Sequence, residues 1–304
     1  MGAIIPVDLR RDRAALTPPD AQDSTGTLYV IATPIGHLGD LSPRASQLLG
    51  GVPVIAAEDT RTSQKLLPSR DRPPQWIALH DHNEARAADR VLDHLRAGND
   101  VALVSDAGTP LISDPGYRVV DGAHAAGLRV LPVPGPCAAI AALSASGLPS
   151  DRFLFEGFLP SKAGPRRKRL AELADAAPTL VFYVPARDLV TVLGDLAEAF
   201  GRNRTGCVAR ELTKQFEHVR RDSLHGLAEW TDADPDRRRG EAVVVVAGAP
   251  EDDRAASAIA PGALADALAE ELPPARAAKI IRALTGLPRA EAFALVEARR
   301  SGGD

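Results

Sequence analysis

Val101-Ala102-Leu103-Val104-Ser105-Asp106-Ala107-Gly108-Thr109-Pro110-Leu111-Ile112-Ser113-Asp114-Pro115-Gly116 decides the fold class of this 304-residue chain. Four consecutive apolar residues run into a small, polar, Gly/Pro-rich turn. A continuous short apolar run reads as a strand buried on both faces, as in a parallel sheet. The same junction recurs four times. Leu28 to Ala32 enters Thr33-Pro34-Ile35-Gly36, and Val52 to Ala57 enters Glu58-Asp59-Thr60-Arg61. Val130 to Val133 enters Pro134-Gly135-Pro136, and Cys207 to Ala209 enters Arg210-Glu211-Leu212-Thr213-Lys214. Open α/β sheets bind ligands in the crevice beyond the carboxyl ends of their strands. Five such turns therefore predict one shared site, although a single polar turn would mean little.

Helical patterns separate the runs. Pro43 to Leu49 reads as a helix with Ser42 as N-cap and Pro43 at its first position. Glu84 to Ala97 places Ala88, Val91, Leu92 and Leu95 on one face, and Gly116 to Ala126 ends at Gly127, a natural C-cap. This alternation predicts an α/β fold with a mostly parallel sheet. Pro136 to Ser146 is Ala-rich and helical, and beyond Gly147 to Asp151 the pattern changes. Strands are expected at Phe153–Phe155, Thr179–Val184, Cys207–Arg210 and Ala242–Ala247, with an added edge strand over His218–Leu224.

Four segments follow: a flexible extension over 1–25, an N-terminal α/β domain over 26–135, a C-terminal α/β domain over 136–250 and a small helical tail domain over 263–304. The last two are joined by the acidic, Ala/Pro-rich stretch from Gly248 to Gly262. In the tail, Ala275 to Leu284, the turn Thr285-Gly286-Leu287-Pro288, and Arg289 to Ala298 read as helix–turn–helix. That shape serves nucleic-acid binding or a plain structural αα-hairpin.

A hydrophobic fraction of 45% is that of a globular protein. No apolar run approaches the roughly 20 residues of a membrane span, and Met1 to Pro6 is too short for a signal sequence, so a cytoplasmic location is expected. Cys137 and Cys207 form neither a disulfide framework nor a zinc spacing. A net charge of −4 argues against a basic coat for nonspecific nucleic-acid binding. It leaves room for local patches, at Lys162, Arg166, Arg167, Lys168 and Arg169 and at Arg237-Arg238-Arg239. Such runs are as often merely solvated faces.

The chain lacks a G-x-G-x-x-G after its first strand, a phosphate-binding G-x-x-x-x-G-K-[ST], a G-x-S-x-G elbow and an H-E-x-x-H. His80-Asp81-His82 offers too few converging ligands to predict a metal. What remains is a site of backbone and small residues. Gly36, Gly39, Gly108, Gly116 and Gly135 permit close approach of main chain to a ligand. Asp59, Asp106 and Asp114 supply carboxylates, and Arg61, Arg210 and Lys214 supply cations. This composition suits a bulky, neutral or cationic cofactor held by carbonyls and amides better than a hydrolase built on a strong nucleophile.

Several of these segments, in this order, closely resemble the bacterial 16S ribosomal RNA cytidine-2′-O-methyltransferases of the tetrapyrrole methylase superfamily. They are Leu28 to Leu38, Ala56 to Arg61, His80 to Glu84, Ser105 to Gly116, Val133 to Ile140, Gly147 to Asp151, Glu156 to Pro160, Ala209 to Lys214 and Gly240-Glu241. The resemblance spans Thr27 to Gly248, and Ala277 to Ala294 is similar to the family's small tail domain. It implies two α/β domains with S-adenosylmethionine in the cleft between them, a homodimer, and methyl transfer to the ribose 2′-oxygen of a decoding-site cytidine in 16S rRNA or the small ribosomal subunit. It also implies a cofactor pocket lined by Thr33, Pro34 and Gly36, by Ser105, Asp106, Ala107 and Gly108, and by Pro134, Gly135, Pro136, Cys137 and Ala138. Two departures stand out: His37 replaces a more usual Asn, and Val184-Pro185-Ala186-Arg187 replaces a Glu followed by an Arg.

Methyl transfer from a sulfonium requires alignment of oxygen, carbon and sulfur. A ribose hydroxyl also needs a base or a cation that stabilises its developing charge. Candidate catalytic residues, from their places at strand ends, are Glu58 or Asp59 as base, Lys214 or Arg61 as electrostatic partner and Glu211 as orienter. Lys162, Arg166, Arg167, Lys168 and Arg169 are the candidate RNA contacts. A small-molecule methylase and a non-catalytic RNA-binding assembly protein are the competing readings; the basic segment and the tail weigh against the first.

Overall fold

The computed structural model of the chain describes residues 25–80, 82–250, 261–285 and 287–301. The extension expected before residue 25, the middle of the linker (251–260) and the last three residues of the tail lie outside the described residues. The chain divides into two compact units, the first ending at Ala138 and the second beginning at Ala139.

In the first unit the elements are β1 (Thr27–Ile31), α1 (Pro43–Gly51), β2 (Val54–Ala57), α2 (Thr60–Gln64), β3 (Gln75–Ala78), α3 (Glu84–Arg96), β4 (Val101–Val104), α4 (Tyr117–Ala125) and β5 (Arg129–Val133). The strands form one sheet in the order β3-β2-β4-β1-β5, and every pairing is parallel. Each strand alternates its side chains between two cores. Leu28, Val54, Ala56, Val101 and Leu103 meet α3 and α4 on one face. Tyr29, Ile31, Ile55, Ala57 and Val104 meet Ala45 and Leu49 of α1 on the other. Burial on both faces explains why β2 and β4 read as unbroken apolar runs. Helix α1 begins as expected, with Ser42 Oγ accepting from Ala45 N at 3.1 Å and proline at the first turn.

The second unit opens on α5 (Ala138–Ser146), then β6 (Phe153–Phe158), α6 (Ala163–Leu173), β7 (Thr179–Pro185), α7 (Leu189–Phe200), β8 (Thr205–Arg210), β9 (His218–Ser223), α8 (Leu224–Asp232) and β10 (Glu241–Val246). Its sheet runs β6-β7-β10-β8-β9. Here the expectation of a mostly parallel sheet holds only for β6 and β7. Strands β7, β10, β8 and β9 pair antiparallel, because β10 enters between β7 and β8 and β8 hands directly to β9. Strand β9 is at the edge, as the sequence suggests. Of the basic segment, Lys162 precedes the helix α6, and Arg166, Arg167, Lys168 and Arg169 lie within it.

The tail forms three helices, α9 (Pro261–Ala269), α10 (Pro274–Thr285) and α11 (Arg289–Ser301), around a core of Ala265, Ala269, Ala277, Ala278, Ile281, Ala292 and Val296. The helix–turn–helix reading captured two of the three. Small alanines at these positions let the helices approach closely.

The α6–α7 packing carries a buried charge cluster. Asp195 of α7 accepts from Arg166 Nε at 2.7 Å and from Arg167 Nε at 2.9 Å, and the Asp195 and Arg166 side chains are 5% and 8% exposed. Removing the carboxylate would strand a buried guanidinium. Asp195→Ala should therefore lower the unfolding free energy by about 3–5 kcal/mol. Arg167→Ala, at a side chain 60% exposed, should cost far less, because solvent screens that pair. Urea titrations of the two variants check the contrast.

Candidate active site

Strands β1 and β4 are neighbours, yet the helices that follow them cover opposite faces of the sheet, α1 on one and α4 on the other. That divergence is the topological switch point where an open α/β sheet leaves a crevice. Four of the five junctions, those after β1, β2, β4 and β5, gather at this edge of the first unit. The fifth, after β8, belongs to the second unit's sheet, so the five turns do not share one sheet.

The crevice floor is tightly tied. Thr33 and Gly108 exchange both backbone hydrogen bonds, at 2.8 and 3.1 Å. The buried Thr33 hydroxyl donates to the carbonyls of Ser105 at 3.2 Å and Gly108 at 3.4 Å. Thr109 Oγ1 donates to Pro136 O at 2.9 Å, drawing in the turn after β5. Gly135 passes so close to β1 that an added Cβ would stand 3.0 Å from that of Ala32. Asp106 Oδ1 accepts the Asp59 amide at 2.9 Å, joining the turn after β2. Of the expected cofactor residues, Thr33, Pro34, Ser105 and Gly108 are buried, Asp106, Pro136, Cys137 and Ala138 are half-buried, and Gly36, Ala107, Pro134 and Gly135 are exposed.

The loop from Gly108 to Gly116 holds four left-handed residues: Gly108 (φ 86°), Leu111 (73°), Ser113 (67°) and Gly116 (129°). Leu111 and Ser113 each sit in a conformation that costs on the order of 1–3 kcal/mol and clusters at functional sites. No propensity marks them in the sequence. Leu111 packs on the core, and Glu84 Oε1 accepts from the amides of Gly116 and Arg118 at the start of α4. These contacts hold the loop against its strain. Inside it, burial, aided by repulsion from Asp106 and opposed by hydrogen bonding to Ser105, pushes the Asp114 carboxyl up from 3.8 to about 6. A half-buried acid beside a second acid favours a ligand that brings positive charge.

The candidates after β2 have structural duties. The Asp59 carboxylate caps α2 by accepting from Arg61 N at 2.8 Å, and the Arg61 side chain is exposed. Glu58 is half-buried. His37, the departure noted in the first turn, accepts from Gly39 N at 3.0 Å through Nδ1. This is the capping bond an asparagine would make there, so the exchange keeps the turn. His80 and His82 place their rings 6.4 Å apart edge to face, while Asp81 lies outside the described residues. Among the described residues no group of three or more His, Cys, Asp or Glu side chains gathers as metal ligands.

In the second unit the turn after β8 is equally specialised. Glu211 (φ 51°) and Thr213 (φ 63°) are left-handed, and Gly240 (φ 86°) approaches until a Cβ there would lie 2.1 Å from Glu211 Oε1. Lys214 Nζ donates to Glu211 Oε1 and Glu241 Oε2, each at 3.0 Å, and Glu211 Oε1 also accepts from Glu241 N at 3.0 Å. Burial opposes the charge of Glu211, but the Glu241 amide and the Lys214 ammonium outweigh it and hold the carboxyl below its usual range. Burial likewise opposes the Lys214 charge, and the two carboxylates outweigh it upward. Arg210, buried, donates from Nη1 to Arg239 O at 3.1 Å, while its buried Nε has no hydrogen-bond partner. Cys207 on the same strand is an inert thiol, pushed by burial to about 11. Arg187, in the second departure, is exposed and 3.7 Å from Asp188.

The basic segment divides. Arg166 is buried on Asp195, which removes it from the cations able to reach a phosphate. Arg169 is committed to Glu156 and Glu172. Lys162 and Lys168 are exposed, and Arg167 is largely so.

The sequence profile of the tetrapyrrole (corrin/porphyrin) methylases matches residues 27–228. The chain belongs to the tetrapyrrole methylase family. A Xylella fastidiosa protein named ribosomal RNA small subunit methyltransferase I is 52% identical over 87% of this chain and 96% of its own length. The crystal structure of the methyltransferase CobJ superposes with a TM-score of 0.56 at 22% identity, over 74% of this chain and 95% of that one. Uroporphyrin-III C-methyl transferase from Thermus thermophilus, complexed with S-adenyl homocysteine, gives 0.50 at 21% identity, over 73% and 97%. These two structures share the methylase fold with this chain.

Within this methylase, the folded state keeps a proton on Asp114 that the unfolded chain releases between pH 3.8 and about 6. Its contribution to stability therefore falls as pH rises through that window. Asp114→Asn should flatten the difference in melting temperature between pH 4 and pH 6.5 relative to wild type. Gly240→Ala should cost about 1–2 kcal/mol from its left-handed backbone alone and displace the Glu211 carboxylate, read as a downward shift of the Lys214 titration by NMR.

Proposed function

We propose that this chain transfers the methyl group of S-adenosylmethionine to the ribose 2′-oxygen of a cytidine in the decoding region of 16S rRNA, as a cytoplasmic homodimer acting on that RNA or on the small ribosomal subunit. The observation that carries the reading is the 52% identity to a ribosomal RNA small subunit methyltransferase across nearly all of that relative's length. The acidic crevice of the first unit supports it, since the donor is cationic. In this reading, Thr33, Pro34, Gly36, the Ser105–Gly108 turn and the Pro134–Ala138 turn hold the donor, and Asp106 and Asp114 complement its positive charge. When bound, the donor supplies an electrophilic methyl carbon on a sulfonium.

The protein's own task is then positioning and proton management. Glu58 or Asp59 takes the proton of the 2′-hydroxyl. Lys214 or Arg61 stabilises the negative charge that develops on oxygen. Glu211, held below the usual carboxyl range, fixes the Lys214 ammonium in one place.

Labelled methyl from S-adenosylmethionine should transfer to small subunits isolated from a strain lacking this protein, and nuclease mapping should place it on one cytidine ribose. Label on a base, or none despite donor binding, would overturn the assignment. Glu58→Gln or Asp59→Ala, and Lys214→Ala, should each lower the single-turnover rate by about 100-fold or more. Full rates in all three would reject these roles.

A further inference from the structure

The tail separates its charges by helix. Helix α10 contains Arg276, Lys279 and Arg282 and no acidic residue, in a chain whose acids outnumber its lysines and arginines 40 to 36. Ala277, Ala278 and Ile281 turn one side of α10 into the tail's core. Helical periodicity puts Arg276, Lys279 and Arg282 on the side away from that core. All three are exposed, as are Ala275 and Ala283 beside them on the same side. The three cations cover about 9 Å of helix axis. The small alanines give a bulky ligand room to approach them.

Helix α11 is the reverse. Its core side holds Ala292 and Val296. Its outer side holds Glu291 and Glu297 among Ala290, Ala294 and Ala298, all exposed. Its last two arginines are spent inside the tail. Arg299 Nε donates to Asp266 of α9 at 2.7 Å, and Arg300 donates to the carbonyls of Ala269 and Leu272 at 2.7 and 3.1 Å. By contrast, Arg276, Lys279 and Arg282 have no ion-pair partner among the described residues. Arg276 also stands in the first turn of α10, where the helix dipole favours an acid and none is present. Local helix stability therefore does not account for an arginine there.

A row of unneutralised cations on one helix side suits the phosphates of a nucleic-acid strand. In DNA-binding helix–turn–helix proteins it is the second helix that enters the groove. Here the second helix presents acids, which phosphates would repel. We propose that the outer side of α10 is a phosphate-contact surface for the RNA substrate, with Arg276, Lys279 and Arg282 as its contacts and α11 facing away from the RNA. The proposal rests on the ribosomal RNA reading above.

The test is filter binding of small ribosomal subunits from a strain lacking the protein, with the full chain, over a salt series. The Arg276→Gln/Lys279→Gln/Arg282→Gln variant should flatten the log–log slope by about 2 to 3 and weaken binding about ten-fold or more at low salt. Arg276→Lys/Arg282→Lys, which keeps both charges, should retain the slope. Glu291→Lys should leave it unchanged. The core positions of α10 are untouched in all three, so melting temperature and affinity for S-adenosylmethionine should match wild type. A triple variant with wild-type slope and affinity would overturn the surface while leaving the rRNA reading intact. A slope steepened by Glu291→Lys would place the RNA on α11 and overturn it too. A lower molar mass of the triple variant in light scattering, with subunit binding unchanged, would overturn it in favour of pairing between basic α10 and acidic α11 of two copies. A wild-type chain that neither binds nor methylates the subunits would sink the rRNA reading first, and the surface with it.

Discussion

The reciprocal hydrogen bonds between Thr33 and Gly108 are the constraint on which the first unit's site depends. Parallel strands end with their last carbonyls and amides unpaired, and the loops beyond them would ordinarily diverge toward their separate helices. At β1 and β4 those helices lie on opposite faces of the sheet. One antiparallel bridge, reinforced by the buried Thr33 hydroxyl, holds the two loops together where topology would part them. Gly108 makes this possible, since its φ of 86° lets the chain double back. The tie fixes Asp106, which holds the turn after β2, and Thr109, which holds the turn after β5.

Strain in the same loop follows from that tie. Once Gly108 is anchored, the chain must reach the start of α4 within eight residues, and it does so through left-handed Leu111 and Ser113. The Leu111 side chain and the Glu84 carboxylate supply the compensating contacts. The result is a rigid loop that carries Asp114 in a partly desolvated place, where its charge is costly until a cation arrives. Backbone geometry, packing and acidity are thus one arrangement. The second unit repeats the device after β8, with Glu211 and Thr213 strained and Gly240 pressed against the carboxylate.

Much of this was legible in the residues. Unbroken apolar runs announced buried parallel strands, Ser42-Pro43 announced α1, and glycines beside prolines marked the turns. The antiparallel half of the second sheet was not legible, because pairing direction depends on where β10 inserts rather than on any local pattern. Nor was the fate of the basic segment. Five cations in nine residues read as one patch, but helical periodicity turns Arg166 inward to Asp195, and long-range acids claim Arg169. Leu111 and Thr213 carry no mark of left-handed backbone. Such positions are enforced by tertiary contacts against local preference.

The division of labour within α6 shows why charge counts along a sequence mislead. A guanidinium has five donors in a fixed fork, so one buried Arg166 can bind a carboxylate with one edge and the preceding turn with another. It acts as a bracket, not as a recognition group. Its neighbours one and two positions on, Arg167 and Lys168, turn outward and keep charge at the surface. The helix thereby holds its exposed cations in a fixed frame set by the core on which it packs. A flexible basic loop of identical composition would present the same charge without that order.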